Sequence, residues 1–283
     1  MVTNWIVSRA GLTRNFMICA VLAAAGVPAH AQWLGYLPPG TPLTAEGKAD
    51  MTAKAPRTPW DTPDLTGTYH IARTARDIAA RAETKGLSPV ESYTANIFRD
   101  IKPEEIPETE AGKKVRLART GNGKRADPSV FCLPMGIPLN NTFNEVTKFV
   151  QAKNILMILF EVDGTYRQVY LDGRKLPEDP SPAWMGYSTG HWEGDTLVVE
   201  TAGFNDKSWL DMAGHSHSEQ LHVTERYHRR DFGHLDVEVT LNDPVMYSKP
   251  FKIQFTHTLL PDSDILESYC NENEKDRQHL GLN

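Results

Sequence analysis

The residues best suited to chemistry lie in one stretch of the sequence, residues 211–226, where histidine and acidic residues are denser than elsewhere. His215, His217 and Glu219 alternate within it. In an extended strand that spacing places all three side chains on one face. Two imidazoles and a carboxylate can bind a divalent metal ion and leave a coordination position open for water or substrate. The stretch therefore predicts a metal site at His215, His217 and Glu219.

Two other interpretations of the same stretch stay open. Histidine titrates near neutral pH, so His215, His217, Glu219 and Glu225 could transfer protons without a metal, with Arg226 stabilising negative charge on a substrate. Alternatively, the glycine and serine residues form a polar loop before a strand, because both residue types favour turns. Glu225 and Arg226 then form a cross-strand ion pair, and the histidines have no catalytic role.

A second block, residues 184–195, combines aromatic residues with glycine. Aromatic faces bind sugars, sterols or aryl groups, although tryptophan and tyrosine are also common large core residues. Residues 203–211 join this block to the histidine stretch by a connection longer than a tight hairpin, the kind of loop that often carries function. The residues that we predict to contact a ligand are Trp184, Tyr187, His191, Trp192, Trp209, Asp211 and His222.

The elements that must position these residues are strands. From residue 142 onward, short β-branched and aromatic runs follow one another with a period of two. Gly164 and Gly194 lie between such runs and can supply the positive φ angle that tight hairpins need. The predicted strands cover residues 146–151, 155–162, 165–172, 187–192, 196–202, 220–229, 235–241, 251–259 and 265–269, with a further one at residues 64–69.

Consecutive hairpins predict a mainly β fold in which sequential strands pair antiparallel. Closing the sheet into a barrel of the lipocalin or calycin type, or stacking it as a two-layer sandwich, removes the exposed edges of an open sheet. We expect the barrel, whose mouth would supply a concave ligand site.

Composition divides the chain into four regions. Residues 1–31 are a predicted signal peptide, and prolines punctuate residues 32–64, which favours an extended arm. Residues 65–130 contain helix-compatible segments and are interpreted as a partly helical insertion or lid. Residues 131–283 hold the antiparallel β domain.

The signal peptide is predicted from the order of its parts. Arg9 and Arg14 precede an apolar run at residues 16–27, and Ala29 and Ala31 then form a small-x-small site. Cleavage is expected after Ala31. About twelve apolar residues are too few for a helix that spans a membrane, which needs roughly twenty. The sequence thus predicts a periplasmic or secreted protein with no membrane insertion after cleavage.

Export makes the cysteines informative. Loss of Cys19 with the signal peptide leaves Cys132 and Cys270 in a compartment where disulfides persist. We expect a disulfide between them, because free thiols are a liability in an oxidising space. The alternative is two unrelated buried thiols.

Charge and missing motifs exclude several function classes. The chain has 30 Lys and Arg against 36 Asp and Glu, without a long basic run, so neither nucleic acid nor an anionic membrane surface is an expected partner. The sequence contains no Gly-x-Ser-x-Gly nucleophile elbow, His-Glu-x-x-His zinc helix, phosphate-binding glycine loop or Cys-x-x-Cys pair. Hydrolysis by a serine nucleophile and ATP-driven chemistry are therefore disfavoured.

Two blocks of sequence, GHWEGDTLVVET at residues 190–201 and GHSHSEQLHVTER at residues 214–226, resemble a family of exported bacterial proteins. The resemblance extends from about residue 132 to residue 273 and includes the shorter elements at residues 131–134, 172–174, 184–186, 203–207 and 270–273. It implies export and a shared β domain. The family has no activity that could be carried over to this chain.

Two functions are compatible with the sequence. In the first, an exported β-barrel enzyme acts on a small organic molecule by histidine and glutamate acid-base chemistry or with a divalent metal, as a lyase, isomerase or hydrolase. In the second, a non-catalytic periplasmic protein binds a lipid, glycan or aromatic metabolite. Both predict a small-molecule ligand.

Overall fold

The computed structural model describes residues 36–72, 93–120, 127–143 and 145–270. The predicted signal peptide and its cleavage site lie outside the described residues, as do residues 32–35 of the predicted arm and residues 271–283. The unit Leu37–Asn283 contains the whole sheet. None of the described helices combines the length and the apolar character needed to cross a membrane.

Nine strands form a closed barrel, which confirms the mainly β prediction and selects the barrel over the sandwich. Each strand pairs with its neighbour in the sequence, and the last strand returns to pair with the first. The strands are β1 (Gly67–Ile71), β2 (Thr147–Ala152), β3 (Ile155–Phe160), β4 (Tyr166–Tyr170), β5 (Tyr187–Glu193), β6 (Thr196–Ala202), β7 (His222–Arg229), β8 (His234–Asn242) and β9 (Phe251–Leu259).

One strand pair departs from the predicted antiparallel order. β4 and β5 are parallel, with Val169 opposite Ser188 and Tyr170 opposite Thr189. Residues 171–186 lie between them, which gives the chain enough length to return to the same end of the sheet before β5 begins. The barrel is therefore mixed, and the prediction of a wholly antiparallel sheet was wrong at this one place.

The predicted hairpins are confirmed, and one predicted strand is wrong. Gly164 and Gly194 have φ angles of 57° and 59° at the turns before β4 and β6. Residues 265–269 do not form a strand. Pairing of Tyr69 on β1 with Leu259 on β9 closes the sheet, so no free edge is left for another strand to join.

Helical elements are short and lie outside the barrel strands. They are α1 (Glu110–Thr120), α2 (Leu139–Thr142) and the 3-10 turns Pro103–Glu105, Pro128–Phe131 and Val162–Gly164. Both β1 and α1 fall within the region predicted as an insertion, whose boundaries stay a prediction. α1 packs closely, because a Cβ on Gly112 would lie 2.7 Å from the Met246 carbonyl oxygen.

The predicted disulfide is present between Cys132 and Cys270, whose sulfur atoms are 2.05 Å apart. It links two positions separated by 138 residues, one before α2 and the other after β9. A cross-link over so long a loop restricts the unfolded chain strongly. The disulfide thus ties the chain on both sides of the barrel strands β2 to β9.

Side chains fill the interior of the barrel. Phe149 on β2 and Tyr227 on β7 belong to strands that are not neighbours, yet their rings meet edge to face at 5.8 Å. Tyr69 on β1 packs against Phe149 at 5.5 Å. The alternating inward residues of β8, namely Leu235, Val237, Val239 and Leu241, are all at most 2% exposed. At these levels the interior is a packed core.

His257 on β9 is a polar residue within this aromatic core. Its ring contacts Tyr69, Phe149 and Phe255 at centroid distances of 6.3, 6.1 and 5.3 Å, and its buried Nδ1 has no hydrogen-bond partner in the described part of the chain. Burial, with the neighbouring His70 contributing, lowers the pKa of His257 to about 4. The imidazole is consequently neutral in the folded protein near pH 7.

This lowered pKa makes His257 a source of acid sensitivity. The unfolded chain binds the proton near pH 6.5, so this contribution to stability is complete above that pH and is lost as the pH falls towards 4. The free energy of unfolding falls when the pH is lowered from 7 to 4, and we expect this fall to be about 3 kcal/mol smaller in His257→Phe than in the wild type. Urea unfolding at both pH values measures it, with the exposed His228→Gln as control. Equal acid losses in wild type and His257→Phe would contradict the assignment.

Candidate active site

The connection between β6 and β7, residues 203–221, folds back on itself as a short ribbon. Trp209 pairs antiparallel with Ser216, and the Leu210 amide donates to the His215 carbonyl oxygen at 2.9 Å. This register places Ser208 opposite His217, one position further along the pair. The ribbon therefore brings together two residues that are nine positions apart in the sequence.

Ser208 and His217 form a hydrogen-bonded pair. Ser208 Oγ lies 2.6 Å from His217 Nε2, and His217 Nδ1 lies 3.1 Å from the Ser218 carbonyl oxygen. Because a carbonyl can only accept, Nδ1 carries the proton, and Nε2 of the neutral ring accepts the Ser208 hydroxyl. A hydroxyl held by a base that a third group orients is the arrangement of an activated nucleophile.

The surroundings of this pair are dry. Ser208 and His217 are each 1% exposed, and the Phe204 ring packs edge to face on the His217 ring at 5.9 Å. Burial lowers the pKa of His217 below its ordinary value. The imidazole thus stays in the form that can accept a proton over a wider range below pH 6.5 than an exposed histidine would.

A second layer of contacts holds the pair in place. Asp243 accepts hydrogen bonds from the Ser218 amide at 2.5 Å and the Ser218 hydroxyl at 2.9 Å, which fixes the carbonyl that orients His217. On the other side, a Cβ on Gly136 would come within 2.5 Å of Ser208 Oγ. The Gly136 backbone therefore packs directly against the Ser208 hydroxyl, and its φ of 76° also favours glycine at this position.

His215 has a different partner and a structural role. Its Nδ1 lies 2.5 Å from Asp211 Oδ2, and its amide donates to Asp211 Oδ1 at 3.1 Å. The same carboxylate accepts the Ile97 amide at 2.7 Å, while the Phe98 ring meets the His215 ring at 4.8 Å. Asp211 and His215 therefore anchor the segment around residue 97 to the ribbon.

The predicted metal trio is not brought together. β7 begins only at His222, so His215, His217 and Glu219 do not share the face of one strand. His215 is bound to Asp211 and His217 to Ser208, whereas Glu219 is exposed. Within the described ranges, no group of three histidine, cysteine, aspartate or glutamate residues could hold a metal ion.

Glu225 and Arg226 point in opposite directions, because successive strand residues face opposite sides of a sheet. Arg226 lies on the outer face and binds Glu193 at 2.8 Å, away from Ser208. Glu225 is fully buried inside the barrel, where it pairs with Arg167. The ion pair between Glu225 and Arg226, which the polar-loop interpretation of the sequence predicted, is therefore not formed.

Arg167 and Glu225 form the centre of a buried polar network that the sequence did not reveal. Arg167 Nη1 donates to Glu225 Oε1 at 3.0 Å, Nη2 donates to Glu225 Oε2, and Nε donates to Ser188 at 3.0 Å. Glu225 Oε1 also accepts from Asn141 at 2.5 Å and from the Tyr227 hydroxyl at 2.7 Å. Although burial opposes its charge, the nearby carboxylate raises the pKa of Arg167. Burial is the main cause that raises the pKa of the Tyr227 hydroxyl well above 10.

The predicted ligand-contacting residues do not form one surface. Tyr187 stacks on Tyr170 at 5.3 Å, His191 contacts Glu193 at 3.3 Å, and His222 Nδ1 lies 3.3 Å from Glu200. Trp192 packs partly buried against the core. Trp209, which is 4% exposed, lies next to Ser208 in the ribbon, and the Trp184 carbonyl oxygen lies near Gly136, which packs on Ser208.

The sequence predicted His217 as a site residue and missed Ser208. Its only sequence signal is Gly214, which lies near the turn of the ribbon that Trp209 and Ser216 form around residues 212 and 213. Searching for a nucleophile elbow could not find it, since Ser208 lies in a loop ribbon between two strands of a barrel.

Comparison with known proteins adds no function to these observations. No protein-family model matches the chain, and neither a curated protein nor a solved structure matches it. The assignment of function must therefore depend on the geometry of the site itself.

The buried Arg167–Glu225 pair generates a stability prediction. Glu225→Gln keeps an acceptor for Asn141 and Tyr227 but leaves the Arg167 charge without a counterion, which we expect to cost about 3 to 5 kcal/mol. The double variant Arg167→Met/Glu225→Gln removes that charge and should recover most of the loss. Urea unfolding measures both.

The outer pair provides the matched control. Arg226 and Glu193 are 39% and 49% exposed at their side chains, so Arg226→Met should cost less than about 1 kcal/mol. A double variant no more stable than Glu225→Gln alone would show that the Arg167 charge is not what destabilises the single variant.

Proposed function

We propose that this protein is an exported hydrolase in which Ser208 attacks the acyl carbon of a small ester and His217 acts as the general base. One observation carries the proposal, namely the 2.6 Å hydrogen bond from the Ser208 hydroxyl to Nε2 of a neutral His217. It retains the acid-base enzyme predicted from sequence, narrows the reaction to hydrolysis, and replaces the metal trio with a serine and a histidine. It also reverses the expectation that hydrolysis by a serine nucleophile is disfavoured, which was based on the missing nucleophile elbow.

The chemistry follows from the positions of the two protons. As Ser208 Oγ forms a bond to the acyl carbon, its proton passes to His217 Nε2, while Nδ1 keeps its proton and its bond to the Ser218 carbonyl. The Nε2 proton then passes to the leaving alcohol oxygen as the ester C–O bond breaks. Water repeats the sequence on the acyl-serine, with His217 again taking the proton, and releases the carboxylic acid.

Charges near the imidazole act on the cation formed during this step. Burial is the main cause that disfavours the charged ring and lowers the pKa of His217, but Asp243 and Asp206 act in the opposite direction. Asp243 therefore has two roles in the proposal: it fixes Ser218, and its negative charge stabilises the transient imidazolium.

Access to Ser208 depends on the residues that cover it. Because Ser208 is 1% exposed and lies against Gly136, the segment that carries Gly136 must move for a substrate to reach the hydroxyl. Ile137 beside Gly136 belongs to the core, and the Asn140 amide donates to the Gly136 carbonyl oxygen at 3.0 Å, so this movement is a local opening that exposes buried residues.

The alternative is a binding protein for a lipid, glycan or aromatic metabolite held inside the barrel. The rings of Phe149 and Tyr227 meet across the interior, and the Arg167 network spans it elsewhere. The alternative thus lacks support at these described inward-facing positions, whereas the Ser208–His217 pair favours an enzyme.

Export belongs to the proposal as well. It is supported by the signal-like order of residues 1–31 and by the Cys132–Cys270 disulfide, a bond that persists in oxidising compartments. We accordingly propose that the enzyme acts in the periplasm or outside the cell. N-terminal sequencing of the exported protein should begin at Gln32, and a chain that retains residues 1–31 would contradict export by this route.

A reactive-serine experiment tests the hydrolase directly. Diisopropyl fluorophosphate should add one phosphoryl group to Ser208, detected by intact mass and peptide mapping, and Ser208→Ala should abolish the adduct. Hydrolysis of 4-nitrophenyl acetate should fall at least about 100-fold in kcat/KM in Ser208→Ala and in His217→Gln, because each removes one half of the nucleophile and base pair.

The control is Ser248→Ala, which removes an exposed serine whose hydroxyl donates to the Pro107 carbonyl oxygen. This variant should keep both labelling and turnover. Circular dichroism establishes that all variants retain the β fold. Labelling or turnover that persists in a folded Ser208→Ala protein would overturn the proposal.

A further inference from the structure

A cationic side chain from α1 lies against the same ribbon. Arg119 Cζ is 5.2 Å from the centre of the Trp209 ring, and Arg119 Nη2 donates to the Asp206 carbonyl oxygen at 3.3 Å. Asp206 and Trp209 flank Ser208 in the sequence. The guanidinium group is thus placed beside the segment that carries the proposed nucleophile.

The guanidinium has an unused donor. Arg119 Nη1 is buried and has no hydrogen-bond partner among the described residues. A buried donor without a partner costs free energy, and more so when it is charged. Burial lowers the pKa of Arg119 from its ordinary value, although Asp206 acts against this. The arginine is therefore held in a place that favours an added negative charge.

The carboxylates nearby are already engaged. Arg116, one turn earlier on α1, binds both Glu108 oxygens at 3.0 and 3.1 Å through Nε. Asp211 accepts from His215 and from the Ile97 amide. Neither carboxylate is the partner of Arg119, and Asp206 accepts from it through the backbone carbonyl oxygen. Among the described residues, Nη1 therefore keeps a free donor position that a ligand carboxylate can fill.

The position of Arg119 is fixed by close packing. A Cβ on Gly214 would lie 2.8 Å from Thr120 Cγ2 and 3.7 Å from Arg119 Cβ, so the end of α1 rests directly on the ribbon. The Glu108–Arg116 pair holds the same face of the helix one turn earlier. Arg119 is consequently placed by the fold and not by a flexible loop, as a recognition residue should be.

We propose that Arg119 binds a free carboxylate on the substrate. The esters hydrolysed at Ser208 are then monoesters of small dicarboxylic acids. The inference rests on the proposed function. Arginine suits this role because its planar fork donates two parallel hydrogen bonds to a carboxylate. Arg119 then determines specificity, while bond formation and proton transfer stay with Ser208 and His217.

Kinetics with two matched esters test this specificity. The probes are 4-nitrophenyl acetate, which is neutral, and the 4-nitrophenyl monoester of succinic acid, which is anionic. Arg119→Met should raise KM for the succinate ester about tenfold or more relative to KM for the acetate ester, because any effect of the lost charge on His217 is common to both esters. Arg119→Lys should restore part of the KM. Lys114→Met, an exposed site on the same helix, should leave both esters unchanged.

Calorimetric titration separates the two proposals, because it requires no turnover. Succinate should bind to Ser208→Ala, and binding should weaken about tenfold or more in Ser208→Ala/Arg119→Met but not in Ser208→Ala/Lys114→Met. Arg119-dependent succinate binding without ester hydrolysis would support the anion site and overturn the hydrolase. Ester hydrolysis that needs Ser208 but shows equal Arg119 effects on both esters, with no Arg119-dependent succinate binding, would overturn the anion site alone.

Discussion

The pairing of Trp209 with Ser216 is the contact on which the site depends. It converts residues 203–221 from an open connection into a ribbon, and the antiparallel register then sets Ser208 opposite His217. The same ribbon presents Asp211 to His215 and offers a flat surface to the end of α1 near Gly214. A shift of one residue in this register would separate the nucleophile from its base and leave both side chains buried without partners.

Buried polar groups in this barrel are accommodated in three different ways. Arg167 and Glu225 form a buried ion pair that hydrogen bonds surround on both sides. His257 is kept neutral by an aromatic environment that gives its Nδ1 no partner. His217 is also neutral, but both of its ring nitrogens have partners, which fixes the tautomer. Of these three, only His217 is a neutral base whose unprotonated ring nitrogen faces a hydroxyl.

The sequence predicted those parts of the fold that depend on local patterns. Strands β6 and β9 match their predicted bounds, and the hairpin glycines Gly164 and Gly194 have the positive φ angles that their positions require. The parallel pairing of β4 with β5 and the absence of a strand at residues 265–269 depend on how the sheet closes, which no local pattern encodes. Closure is a property of all nine strands together.

The site was predictable only in part for the same reason. His217 stood out by residue type, and the disulfide partners stood out because only two cysteines follow the predicted signal peptide. Ser208 and Arg167 could not be distinguished from ordinary loop and strand residues, since their roles come from partners 9 and 58 residues away. The three predicted metal ligands do not share one strand face, because their alternation was assigned to a strand that begins only at His222.

The tautomer of His217 is the property that tests this account most directly. Two-bond ¹⁵N–¹H correlation spectra of the folded wild-type protein at pH 7, assigned with His217→Gln, report which ring nitrogen carries the proton. The account predicts a neutral ring with its proton on Nδ1 and an unprotonated Nε2 that accepts from Ser208. A proton on Nε2, or a doubly protonated ring, would contradict it, because Nε2 could then not act as the base for the Ser208 hydroxyl.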